Sequence, residues 1–359
     1  MKSEWVTKKT IIKKHGTQHV ATTSHLAMYD YTQKSLDDVD VISLSEYEDI
    51  FELDNEQGDL CLDPSIHSFE DAEDVITWCA TLIVQSQTLN SLWTSAMNTG
   101  WVVGLTTLEN QGFYLDIPAK KILLDDYAMS PETLGYSAFF RNDILLNFMR
   151  ALRDISHHSR EDGFEKQYGP ENILILERVR AADCDTIGIL GAWELRSAGH
   201  PDIWRHLIGS PEGDMALAFT QYLERDPTAL FDGSALAYAF RQWFTDDERV
   251  DACDHETLEY LDDILFEVGD SNPFGQKRLD GKIIESLARL PNETCYLKRL
   301  GDMILEDPYY AGMNDPINQA HLFQMVYDLK VIMVNNVPFS DQKLARKIFP
   351  DGNHKEQWK

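Results

Sequence analysis

Asp143–Arg160 reads DILLNFMRALRDISHHSR, and its periodicity sets the frame for the rest of the chain. Leu145, Phe148, Met149, Leu152 and Ile155 recur at steps of three and four, which predicts a helix with one face packed on a core. Arg153, Asp154, His157 and His158 interrupt that pattern within one turn and a half. Arg153 and His157 are four apart, as are Asp154 and His158, so each pair projects from its own side of the helix.

Working outward, Ser130-Pro131-Glu132 supplies an N-cap, a proline at the first helical position and an acid in the first turn. A helical region is therefore expected from there to about Ser159, with a break near Asn142. Upstream, three strands rich in bulky and β-branched residues are expected at 101–108, 113–117 and 120–127. Before them, Ser68 and Asp71 stand at capping-box spacing ahead of a long apolar-periodic helix to about Asn98. Downstream the chain reads as helical: 171–198, 214–224, 228–244 and 255–268, then 279–290, 293–305 and 316–334. His200 and His206, flanking Trp204 after the Gly199-His200-Pro201 stop, read as loop and surface residues.

Composition narrows the class. The 359 residues are 43% hydrophobic and 11% aromatic, enough for a sizeable core. No apolar run is long enough to span a bilayer, and the lysine-bearing amino terminus has no apolar stretch of the secretory kind, so a cytoplasmic protein is expected. Cys61, Cys79, Cys184, Cys253 and Cys295 form no CxxC pair and are expected to be reduced. The net charge is −28. Between Ser35 and Ala119 there are 17 Asp and Glu and no Lys or Arg, and Asp246–Asp270 holds 11 carboxylates against Arg249 alone. Such surfaces repel phosphate, so direct nucleic-acid binding is not expected and a basic protein partner is; an acidic face kept for solubility is the plainer explanation.

A helix, a short sheet and then a helix with polar residues four apart is similar to a minimal zincin, in which HExxH sets two His and a Glu around Zn. Here those five positions are Arg153-Asp154-Ile155-Ser156-His157. Further motifs follow: Ala181-Ala182-Asp183; Ala192-Trp193-Glu194-Leu195 with Gly199; and Ala239-Phe240-Arg241-Gln242-Trp243-Phe244 leading to Arg249-Val250 and Cys253-Asp254. On these residues the chain resembles a bacterial family of metallopeptidase, zincin-like domains over roughly 40–270, with a degenerate HExxH-type site. The tail after Ser271 lies outside the resemblance.

The resemblance implies that Arg153 stands where a first ligand belongs and Ala181 where a third would be. A permanently protonated guanidinium repels a cation instead of ligating it. Asp154 occupies the general-base position, shortened from Glu. A rearranged Zn site could draw on Asp154, His157 or His158, and Asp183 across two packed helices; otherwise no cofactor is expected. Read plainly, Arg153 with His157 is a pair on a helix surface, and Asp154 with His158 is an ordinary i,i+4 ion pair. A remodelled polar pocket that binds without metal is a further alternative. There is no GxGxxG, GxxxxGK[ST] or GxSxG motif.

The expected fold is α+β: a minimal zincin-like core with a small β-sheet, a predominantly helical second half and a helical C-terminal tail. The expected organisation is a basic, polar extension (1–40), a metallopeptidase-family domain (41–270) and a helical region (271–359). The expected function is that of a catalytically degenerate metallopeptidase-like protein acting through acidic surfaces. An active metal-dependent hydrolase with altered ligands is the alternative, and an acidic inhibitor or nucleic-acid mimic that captures a basic protein is the third reading.

Overall fold

A computed structural model describes residues 39–47, 67–159, 166–268, 272–330, 332–334, 337–339, 342–348 and 354–356. The basic extension lies almost wholly outside these, as does the middle of the first acidic block.

The fold is α+β. Strand β1 (Ile42–Ser43) leads to helices α1 (Ala72–Ile83) and α2 (Gln87–Asn98), then to β2 (Val102–Thr106), β3 (Phe113–Asp116) and β4 (Lys121–Asp125). The sheet is mixed, in the order β1-β2-β4-β3, with β2 parallel to β4 and β3 antiparallel to it. Helices α3 (Pro131–Tyr136), α4 (Ala138–His158) and α5 (Pro170–Ser197) follow, then α6 (Pro201–Ile208), α7 (Gly213–Arg225), α8 (Ala229–Asp232), α9 (Ser234–Trp243) and α10 (Asp247–Val268). The C-terminal region adds α11 (Gly281–Leu287), α12 (Gly301–Glu306), α13 (Pro308–Ala311), α14 (Pro316–Lys330) and α15 (Gln342–Ile348).

Several expected elements break where capping residues intervene. The long helix to Asn98 is two, because the Ser86 hydroxyl accepts from Leu89 N and starts α2. Asp71, not Ser68, caps α1. The break expected near Asn142 falls at Ser137, whose hydroxyl caps α4. The 228–244 helix divides at Gly233, held at φ +82°, a conformation that glycine adopts without strain. The histidines expected in a loop flank and occupy α6 instead, and His206 is no surface residue: its side chain is 7% exposed and meets Asp143 at 3.3 Å. The tail also carries an antiparallel sheet, β5 (Ile332–Val334) between β6 (Val337–Phe339) and β7 (His354–Glu356).

Two helices occupy the middle of the molecule. Every residue of α4 from Ile144 to His157 is buried, and so is nearly all of α5 from Leu176 to Ala192. A helix buried on all sides cannot send its charges to water, so they must pair with one another. Close approach around this pair depends on two glycines. A Cβ on Gly191 would lie 2.8 Å from Leu89 of α2, and one on Gly112, already at φ +79°, would lie 2.9 Å from the Asn147 amide of α4. One apolar cluster surrounds the pair, running from Leu44 through Trp93, Phe148 and Trp243 to Tyr310 and Met325.

Candidate functional site

Along α4, Arg150, Arg153, Asp154 and His157 follow the 3-1-3 spacing of one helix face, and they meet Arg180, Asp183, Cys184 and Asp185 of α5. Arg153 grips Asp183 with both edges of its guanidinium, Nε to Oδ2 at 2.5 Å and Nη2 to Oδ1 at 3.1 Å. The same Asp183 meets His157 Nε2 at 2.8 Å and accepts from the Tyr296 hydroxyl at 2.5 Å. Arg153 also donates to the carbonyls of Leu287 at 2.6 Å and Arg289 at 3.0 Å. The residues at the two histidine positions of the HExxH pattern thus converge on one carboxylate, and the segment from Leu287 to Tyr296 covers them.

One turn away, Arg180 donates to Asp154 at 2.5 Å and reaches Glu177 at 3.0 Å and the His158 ring at 2.8 Å. Arg150 lies 2.8 Å from Asp185 and 3.0 Å from Glu212, and Asp185 also accepts from the Trp243 indole at 3.0 Å. The surface-pair reading of these residues is therefore corrected. Arg153 and Asp154 are 0% exposed and His157 2%, and Asp154 shares Arg180 with His158 instead of forming a simple i,i+4 pair.

Burial alone would push the Asp183 carboxyl up, but Arg153 and His157 together hold it well below the usual carboxylate range. Burial, aided by Arg153 and Arg180, lowers His157 against the pull of Asp183, so its ring is held neutral. Burial pushes the Cys184 thiol far up, and Asp154 and Asp183 add to that shift. Asp185 and Glu212 share Arg150: burial and the neighbouring Glu212 raise Asp185 to about 6, while Arg150 helps keep Glu212 low.

A cavity of about 20 Å³ opens beside this cluster, room for roughly one water or one ion. Phe113, Arg150, Asp154, Arg180, Ala181, Cys184 and Asp185 line it. Arg153 is not among its walls. Donor atoms of Asp154, His157 and Cys184 lie within 4.8 Å of one another, so by distance this trio could hold a metal ion. The chemistry of the donors does not suit one. Asp154 is already bound to a guanidinium, and Arg150, Arg153 and Arg180 crowd the position with positive charge. Of the expected ligands, His157 and Asp154 join the trio; Asp183 backs His157 from its far nitrogen, and His158 turns to Arg180.

Residues 55–297 match the Putative metallopeptidase family (DUF6782). This chain belongs to that family. No curated protein and no solved structure matches the chain. The family match ends at the segment that brings Tyr296 to Asp183, beyond the boundary expected at 270. Motifs that carried the sequence resemblance to metallopeptidases act here as joints. Glu194 accepts from Thr88 N at 3.0 Å and from the hydroxyls of Ser86 and Thr88, fixing the start of α2 against α5. Asp254 takes both edges of Arg178 at 2.6 Å, and Arg249 binds Asp214 at 3.0 Å. Among the described residues no helix is long and apolar enough to cross a membrane.

Sequence reading missed Arg150, Arg180, Cys184 and Tyr296. For Arg150 and Arg180 a signal existed: each falls on the spacing that continues the polar stripe of its helix. Cys184 had none beyond adjacency to Asp183, and Tyr296 had none at all.

Proposed function

We propose that this chain is a family member that works without metal and without peptide hydrolysis, acting through contact with another protein. The observation that supports this most strongly is the Arg153–Asp183–His157 cluster. A guanidinium at the first ligand position of the HExxH pattern supplies the positive charge that a metal would otherwise bring. Arg180 does the same for Asp154, the general-base position, leaving that carboxylate engaged. Ala181 contributes only a methyl group to the cavity. The acidic composition favours a basic partner, and acidic inhibition or nucleic-acid mimicry is one form that such binding could take.

Metal analysis of the purified protein tests the proposal. The expected result is no stoichiometric zinc and a melting temperature indifferent to chelator. Stoichiometric zinc that is lost in Asp154→Asn or His157→Ala would overturn it.

One observation favours the second reading, a metal-dependent hydrolase with altered ligands. Asp183 on the far nitrogen of His157 is how a carboxylate orients a metal-bound imidazole, and Asp154 and Cys184 stand on the other side of that ring. It predicts chelator-sensitive peptide cleavage abolished by Asp154→Asn. Absence of cleavage across a broad peptide library would dismiss it.

A further inference from the structure

One stripe of α10 faces solvent. His255, Glu259, Asp262 and Phe266 follow at steps of four, three and four, which is one side of a helix, and all four are exposed. Val250, Cys253, Leu258, Leu261 and Leu265 of the same helix are buried in the core. Glu259 meets His255 at 3.3 Å, and Asp262 meets His321 of α14 at 2.7 Å. Phe266 ends the stripe, 88% exposed. It has Asp262 and Asp263 one turn before it and Glu267 just after, and no other large apolar side chain exposed among the described residues is bracketed by carboxylates in this way. From Asp251 to Val268 the chain has no Lys or Arg. Burial, with the charges of Asp262, Glu259 and Glu267 next in effect, raises the Asp263 carboxyl. The carboxylates along this stripe therefore repel one another, and cations laid across them are favoured.

The chain carries cations of matching pattern in its own amino-terminal extension. Residues 1–29 hold Lys2, Lys8, Lys9, Lys13 and Lys14 against Glu4 alone. In Lys8-Lys9-Thr10-Ile11-Ile12-Lys13-Lys14, two isoleucines stand between pairs of lysines, the complement of a phenylalanine between carboxylates. Twenty-five residues separate Lys14 from Val39, where the described chain begins. Such a length reaches at most about 85 Å, against a radius of gyration of about 20 Å for a globular chain of this size, so every face lies within reach. Charge alone would serve the acidic block that follows the extension equally well. Between 67 and 119, however, no large apolar side chain among the described residues is exposed, and the isoleucines would find no apolar contact there.

We propose that the extension docks on this stripe of its own chain, with Ile11 and Ile12 against Phe266, and with Lys8, Lys9, Lys13 and Lys14 against Glu259, Asp262, Asp263 and Glu267. The contact is intramolecular and needs neither a metal nor a second protein, so it goes beyond the function proposed above. An acidic face covered in this way is closed to other cations until the extension leaves.

The full-length protein is treated with a carbodiimide, which joins a lysine amine to a neighbouring carboxylate without a spacer, and the linked peptides are read by mass spectrometry. Lys8, Lys9, Lys13 and Lys14 are expected to link to Glu259, Asp262, Asp263 and Glu267, in a yield that falls as salt rises. Phe266→Ser should lower that yield about fivefold and leave the melting temperature unchanged, because the side chain is almost wholly in solvent. Phe323→Ser, at an aromatic 72% exposed on α14, should leave the yield as it is. Mixing isotope-labelled with unlabelled protein separates links within one chain from links between two. No link from these lysines to α10, links in equal yield to Glu73 and Asp74 of α1, a yield indifferent to Phe266→Ser, or links chiefly between labelled and unlabelled chains would each overturn the proposal.

Discussion

Arg153 of α4 and Asp183 of α5 form a two-pronged ion pair with neither side chain exposed to solvent. Desolvating both ions is costly, and the geometry offsets that cost because Leu287 O and Arg289 O accept further guanidinium donors of Arg153 while His157 and the Tyr296 hydroxyl meet the Asp183 oxygens. The pair therefore ties the two central helices to the segment that covers them.

Arg153→Met leaves a buried carboxylate without its cation and should destabilise the protein by about 3–5 kcal/mol. Adding Asp183→Leu should restore part of that loss, since neither charge then remains. Urea denaturation of the two single variants and the double variant measures the coupling; additive losses would show that the pair is not a unit.

Arg180→Ala frees Asp154 and removes one of three cations beside the Asp154–His157–Cys184 trio. Zinc affinity should rise on the order of tenfold over the wild type, read by competition with a chromophoric chelator. An unchanged affinity would mean that Arg180 is not what keeps a metal out.

Glu256 on α10 is pushed up from 4.5 to about 8 by burial, with Glu259 adding to it. A carboxyl raised in the folded state takes up a proton on folding between those values, so its cost is greatest above about pH 8 and vanishes below 4.5. Glu256→Gln should therefore melt at a higher temperature than the wild type at pH 9, and the two curves should converge as the pH falls towards 4.5. A difference that stayed constant with pH would rule out this titration as the cause.

Gly191→Ala places a methyl group 2.8 Å from Leu89 Cδ1 where α2 crosses α5. Overpacking there should cost about 1–3 kcal/mol, and pairing it with Leu89→Ala should recover some of it in thermal melts.

The helices were legible where periodicity and caps agree. The expected 171–198 helix is α5 at Pro170–Ser197, because a proline start and an apolar run leave little choice. The C-terminal segments 279–290 and 293–305 were read too long, since only tertiary contacts decide that the chain turns at Arg289 and Cys295 to form a bridge. Arg153, Asp154, His157 and Asp183 stood out because charges inside an apolar stripe are rarely idle. Their partners did not. Tyr296 lies 113 residues from Asp183, and the Leu287 carbonyl 134 residues from Arg153, and no local pattern reports contacts at that separation.

By itself the sequence determined the α+β class, the two polar helices and the family likeness, because helix period, capping chemistry and motif residues act within a few positions of one another. Only the tertiary structure decided that α4 is buried on all sides instead of one, and that Arg153 turns to Asp183 while Arg180 takes Asp154. The reason is physical: a charge placed in the interior must find its counter-charge wherever the fold brings one within reach, and that choice belongs to packing across the whole chain.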